Sequence, residues 1–192
     1  MLLVDHQIRK LCIENDMLNP FSESVSGSGI VSYGLTSGGY DLRMDPEVLM
    51  FKNTYGEIVD PKRFKEPGFI EKIFDRIRVE PGKPIILPGH NYLLAKSFEY
   101  IKMPRNLKAR CVGKSTLARV GVIINTTPLE PNWHGFLTIE ISNSSPCPVA
   151  LYPLEGIAQL EFETLAGVCE SDYESKGGKY QGQIDVTPAI VL

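Results

Sequence analysis

Glu140 is the lone carboxylate of the segment GFLTIEIS (135–142), whose composition otherwise suits a buried strand. A period of two puts Leu137, Ile139 and Ile141 on one face and Phe136, Thr138, Glu140 and Ser142 on the other. A carboxylate in that position either sits on a solvated outer face or faces a pocket as a general base. KSTLAR (114–119) gathers Lys114, Ser115, Thr116 and Arg119 into one short turn. Ser115 and Arg119 are four apart, so a helical turn aligns them on one side. Hydroxyls flanked by cations suit a phosphate or a bound water, and equally suit an exposed polar turn. TPLEPNWHG (127–135) carries Glu130 and the only tryptophan, Trp133. It is longer than a hairpin connection requires, as site-building loops are. Trp133 filling a core edge and Glu130 in solvent account for it as well.

The elements that must hold these residues are mostly strands. Ile8, Leu11 and Cys12 recur at helical spacing behind Asp5, which reads as an N-cap, and predict one short helix closing before Asn19-Pro20. SESVSGSG (22–29) reads as a loop. Beyond it, β-branched and aromatic runs alternate with Pro, Gly and Asn: 47–51, 83–87, 91–97, 107–112, 120–125, 135–142, 148–152 and 156–162. Close spacing with turn signals between predicts an all-β sandwich or barrel, and 14 prolines exclude long helices through most of the chain. The Gly-rich stretch 174–188 lacks periodicity and reads as a frayed tail or as a flap that closes over a ligand.

Bulk properties narrow the class. With 192 residues the chain fits one domain, 1–192, able to bury a sizeable core. A net charge of −3 argues against nucleic-acid binding, which needs clustered cations, but leaves room for a small phosphate-bearing ligand. The N-terminus is charged by Asp5 and no run approaches a membrane span, so a cytoplasmic protein is expected. The four scattered cysteines read as reduced, mostly buried thiols. GKS (113–115) imitates the end of a P-loop, but Lys108 stands where its first glycine belongs. A zinc-activated water needs an HxE motif and a later PCxxC; no histidine begins HxE, and Cys147 has no second thiol at that spacing. Any deamination by this chain therefore has to proceed without zinc.

Five ordered segments resemble the dCTP deaminase family, a branch of the trimeric dUTPase-like superfamily. They are SYGLTSGGYDLR (32–43) with FEYIKMPRNL (98–107), GKSTLARVGVIINTTPLEPNWHGFLTIEISN (113–143), EGIAQLEF (155–162) and DYESKGGKYQGQ (172–183). The resemblance implies a distorted β-barrel or jelly roll with a short N-terminal helix, assembled as a homotrimer with shared sites. It implies conversion of dCTP to dUTP and ammonia, feeding dUMP and dTTP synthesis, with Mg2+ carried by the triphosphate and dTTP as a feedback inhibitor. Glu140 matches the catalytic glutamate; Ser115 and Arg119 match the residues that hold the attacking water and orient that glutamate. Lys114, Ser115 and Thr116 match a turn that meets the triphosphate across a subunit boundary. Glu130 matches the acidic residue near the sugar 3′-hydroxyl and Trp133 the aromatic of its loop. Backbone from Thr138 through Ile139 to Glu140 is implied to read the cytosine edge. Gln159, Tyr173, Lys179 and Gln183 match phosphate ligands, the last three around a mobile C-terminal flap, 174–192. The loop before Glu130 is two residues shorter than in the longer form of the family, and Gly38 and Thr126 also depart from its pattern.

One carboxylate would then work twice, taking a proton from water and handing it to the ring, with Arg119 favouring its charged form. Two rivals remain: a bifunctional deaminase and dUTPase that releases dUMP, and a non-catalytic nucleotide-binding trimer.

Overall fold

The computed structural model describes residues 1–52, 56–80 and 82–191. It is mainly β. The order is α1 (Asp5–Asn15), β1 (Leu18–Asn19), β2 (Val25–Gly27), β3 (Ile30–Thr36) and β4 (Gly39–Phe51). After a 3-10 turn (Pro61–Arg63) come α2 (Phe69–Ile73), β5 (Phe74–Arg78), β6 (Ile85–Leu87), β7 (Tyr92–Lys102) and β8 (Leu107–Gly113). α3 (Ser115–Ala118), β9 (Val122–Ile124), β10 (His134–Asn143), β11 (Val149–Leu151) and β12 (Gly156–Thr164) complete the chain.

α1 is the helix expected from the 8, 11, 12 spacing, but its N-cap is Val4 rather than Asp5. Gln7 reaches back to accept the Val4 N–H at 3.1 Å, and Asp5 sits in the first turn, where its charge complements the helix dipole. The stretch 22–29 is not wholly loop: Val25–Gly27 pairs with β3, because its small side chains leave the backbone free to join a ladder. β3, β5 and most of β4 were not legible as strands, since polar residues interrupt their apolar pattern.

β4 organises the sheet. Its first half pairs with β3 and β12, and its second half with β5 and β7. The register with β7 shifts between Met44 and Val48, around Pro46, which lacks an N–H to donate and is tolerated at such an irregularity. The sheet curls into a half-barrel, as the all-β reading requires, around a cluster that includes Ile8, Tyr40, Leu42, Ile139, Leu160 and Phe162. Each large apolar side chain buried there contributes about 1.5–3 kcal/mol. A second cluster, Leu49, Phe69, Ile73, Phe74 and Leu94, includes Val186 from the C-terminal segment. Among the described residues no helix is long and apolar enough to cross a membrane. All four cysteines are unpaired; Cys12 is buried, Cys147 exposed and the other two half-buried.

Candidate active site

β10 carries the alternation read from the sequence. Leu137, Ile139 and Ile141 pack into the core, while Phe136, Glu140 and Ser142 are half-buried on the opposite face. β7 bulges opposite Leu137, between the Phe136–Tyr100 and Thr138–Lys96 pairs. Buried Ser97 secures the bulge: its hydroxyl accepts the Leu137 N–H at 2.9 Å and donates to the Glu99 carbonyl at 2.7 Å. Glu99 is fully buried and its carboxylate is held by Arg43, at 2.6 Å from the side chain and 3.0 Å from the backbone N–H. Burial pushes the Glu99 carboxyl up, against the pull of Arg43.

The face bearing Glu140 is covered, not solvated. The C-terminal segment crosses it: Phe136 N–H donates to Gln183 O at 2.9 Å, Gly182 N–H to His134 O at 2.8 Å, and Thr187 N–H to Thr138 Oγ1 at 3.2 Å. Trp133 is 5% exposed, and its indole N–H donates to Tyr180 O at 2.9 Å, so it both fills the core edge and anchors the segment. The crossing depends on Gly135, whose φ is +145° and where a Cβ would lie 2.9 Å from Gln183 O. Gly135→Ala is therefore expected to detach the segment, costing roughly 1–3 kcal/mol of local stability. Faster proteolysis within 174–191 checks this; unchanged cleavage would show that the crossing tolerates a side chain.

Beneath the segment lies a cavity of about 450 Å3. Glu130, Trp133, Thr138, Glu140, Tyr173 and Gln183 line it, so six of the residues singled out from the sequence share one wall system. The Glu140 Oε2 atom is buried and has no hydrogen-bond partner among the described residues. Burial pushes the Glu140 carboxyl up to about 7, because the charged form loses hydration that a hydrogen bond from its own backbone only partly offsets. Tyr92, on the same wall, is pushed up to about 12 by burial first and by the Glu140 charge second. Phe51, Phe64 and Phe74 form the apolar side of the cavity. Sequence reasoning missed these aromatics because they lie outside the five segments that carry the resemblance. The run EVLMF held the only signal.

The other site residues lie elsewhere. Ser115, Thr116 and Arg119 are exposed at α3, and the Arg119 guanidinium donates to the Ser115 carbonyl at 2.9 Å, so within the chain it does not supply the charge partner expected for Glu140. Lys114 and Gln159 meet at buried Asp41. Ile139 is core. Lys179 is exposed and donates to Ile190 O at 2.6 Å, and the Gln183 amide N–H donates to Phe136 O at 2.6 Å. The Tyr173 hydroxyl accepts the Tyr180 N–H at 3.1 Å, and Glu130 lies 3.7 Å from the Lys108 ammonium. Among the described residues no group of three or more His, Cys, Asp or Glu side chains is placed to hold a metal ion.

A profile described as dCTP deaminase-like matches residues 2–165. The chain belongs to the dCTP deaminase-like family. It is 42% identical over 190 residues to the dCTP deaminase of Anaplasma phagocytophilum (strain HZ), covering 99% of this chain and 98% of that one. With the dCTP deaminase of Campylobacter jejuni subsp. jejuni serotype O:2 it shares 45% over 191 residues, covering 100% and 98%. The crystal structure of 2′-deoxycytidine 5′-triphosphate deaminase from Agrobacterium tumefaciens matches with a TM-score of 0.62 at 17% identity, a likeness of fold. That match covers 85% of this chain and 48% of the other, so the chain spans about half the length of that protein. The dCTP deaminase-like profile ends before Tyr173, Lys179 and Gln183, whereas the two full-length alignments run through the C-terminal segment that closes the cavity.

Proposed function

We propose that this chain hydrolyses dCTP to dUTP and ammonia, with Glu140 as the group that moves the proton. The observation that carries the reading is an unpartnered carboxylate oxygen, raised toward neutrality, in a cavity of nucleoside size between aromatic walls. The full-length relatives named dCTP deaminase supply the substrate class.

Glu140 in its charged form takes a proton from water as the oxygen bonds to C4 of the cytosine, and returns it to N3. It then takes the proton of the new hydroxyl and passes it to the departing amine, so that ammonia leaves and the carbonyl forms. With its pKa near 7 the carboxylate is balanced between accepting and donating, and no zinc-bound hydroxide is required. Thr138 to Glu140 presents the backbone that reads the base edge, and Glu130 and Trp133 meet the sugar. Lys114, Gln159, Tyr173, Lys179 and Gln183 serve the phosphates, closed over by the segment 174–191. Mg2+ would be carried by the triphosphate oxygens, since the described residues offer no protein cage for it.

Ser115 and Arg119 are exposed and apart from the cavity, beside Val112, Val120 and Ile123, which are 36%, 49% and 51% exposed. We infer that a second copy covers this face and lends Ser115 and Arg119 to the neighbouring Glu140, in a homotrimer.

Product analysis tests the reaction. dUTP with stoichiometric ammonia supports it, dUMP with pyrophosphate in addition makes the chain bifunctional, and no ammonia from dCTP overturns it. kcat/KM is expected to fall about tenfold per pH unit below the Glu140 pKa, which is about 7 in the single chain and lower where Arg119 of a neighbouring copy reaches it, as protonation removes the base. A flat profile between pH 5 and 8 would remove Glu140 from that role.

A further inference from the structure

Asp41 of β4 lies directly opposite Gln159 of β12 and is 6% exposed. Its two oxygens take different donors. Oδ1 accepts the Gln159 amide at 3.1 Å, and Oδ2 accepts the Lys114 ammonium. The Lys114 side chain is itself only 9% exposed, and its one other partner among the described residues is Ser32 Oγ, at 3.4 Å. Its stem passes Gly156, where a Cβ would sit 3.1 Å from Lys114 Cδ and 2.0 Å from the Ser32 carbonyl. The path of the lysine is thus built into the backbone of β12.

A buried Lys–Asp pair alone is only a structural ion pair. Here the carboxylate joins two donors from separate elements, and neither donor is used up. An ammonium has three N–H groups, and the second N–H of Gln159 reaches only a 3.4 Å contact with Thr36 Oγ1.

We propose that Asp41 is a positioning residue of the phosphate subsite: it sets the spacing between the Lys114 ammonium and the Gln159 amide, leaving their free N–H groups to face phosphate oxygens. The inference rests on the proposed function, in which Lys114 and Gln159 bind the triphosphate. Anchoring a long side chain beforehand removes rotamer freedom that binding would otherwise have to remove. The sign of the effect is diagnostic. Deleting a negative charge beside a polyanion should by electrostatics alone tighten binding, whereas loss of positioning weakens it.

The experiment compares the unaltered chain with Asp41→Asn, Asp41→Glu, Lys114→Met and the Asp41→Asn/Lys114→Met double variant, on dCTP and dCMP, with melting temperatures as a check of folding. Asp41→Asn is expected to raise KM for dCTP roughly 10- to 100-fold, the usual effect of losing charge-assisted hydrogen bonds to a ligand's partners. kcat should change far less, and kcat/KM for dCMP should hold, so the preference for the triphosphate collapses. In the Lys114→Met background the same change should add little, because the two act through one interaction. Asp41→Glu keeps the charge and should recover part of the preference. A lower or unchanged KM, equal losses on dCTP and dCMP, or additive effects would overturn the inference. So would failure of both Asp41 variants to fold, which would make the residue purely structural. An unaltered chain inert toward dCTP fails in the control arm, which marks the functional reading, not the role of Asp41, as the error.

Discussion

Glu140→Gln is expected to release ammonia from dCTP roughly 10³- to 10⁴-fold more slowly than the unaltered chain, the upper range for loss of a positioned acid–base group. The same carboxylate would serve two proton transfers, and an amide can serve neither. Binding should survive, because Gln keeps the size and polarity of the side chain. The same substitution should also stabilise the fold, in a pH-dependent way. In the single chain, with no neighbouring Arg119 beside it, the Glu140 carboxyl stands at 4.5 unfolded and about 7 folded. Between those values the native chain holds more protons than the unfolded one, so unfolding free energy falls as pH rises through that window. Above about 7 the full cost of burying the charge is present, and below 4.5 none of it is. Allowing for solvent around a half-buried group, that cost is about 1–2 kcal/mol. The variant should therefore melt several degrees higher at pH 8, at roughly 2–4 °C per kcal/mol, and match the unaltered chain near pH 4. Melting curves and ammonia assays at the two pH values check both halves. A variant that keeps near-normal turnover removes Glu140 from the chemistry, and a gain in melting temperature independent of pH removes the desolvated charge.

The second large effect concerns where Arg119 acts. Arg119→Ala and Glu140→Gln should each be nearly inactive alone. Co-expressed in equal amounts they should recover about a quarter of normal activity, because a site shared between neighbours in a random trimer draws both intact residues about one time in four. Recovery would place Arg119 and Glu140 on different subunits of one site. The geometry motivates this: Arg119 is exposed and turned to the Ser115 carbonyl, whereas Glu140 lies under the C-terminal segment. A mixture no more active than its parts would sink the shared-site reading, and the two residues would have to meet within one chain after a rearrangement of α3. Arg119 reaching Glu140 from a neighbour would also pull the carboxyl below about 7, moving the lower limb of the pH profile down.

The alternation of β10 was legible because a strand's two faces follow directly from a period of two, and Leu137, Ile139 and Ile141 are indeed core. The same pattern could not say whether Glu140 faced water or a pocket. That depended on Gln183, Thr187 and Val186 returning from the end of the chain to cover the strand, a contact between residues roughly 50 positions apart that no local rule encodes. β4 shows the converse limit. Its Asp41, Arg43 and Asp45 made it unreadable as a strand, because their burial is balanced by partners such as Lys114, Glu99 and Gln159 that only the fold brings near.

By itself the sequence determined the mainly β class, the short N-terminal helix, the failure of the P-loop and zinc patterns, and a set of candidate residues in order. Periodicity, turn chemistry and ligand spacing are local properties, so they survive without coordinates. Tertiary structure alone decided which candidates share a cavity, that Glu140 is desolvated, and that Asp41 joins Lys114 to Gln159. Proton affinity and ion pairing depend on distance and hydration in three dimensions, and those exist only once remote segments have packed together.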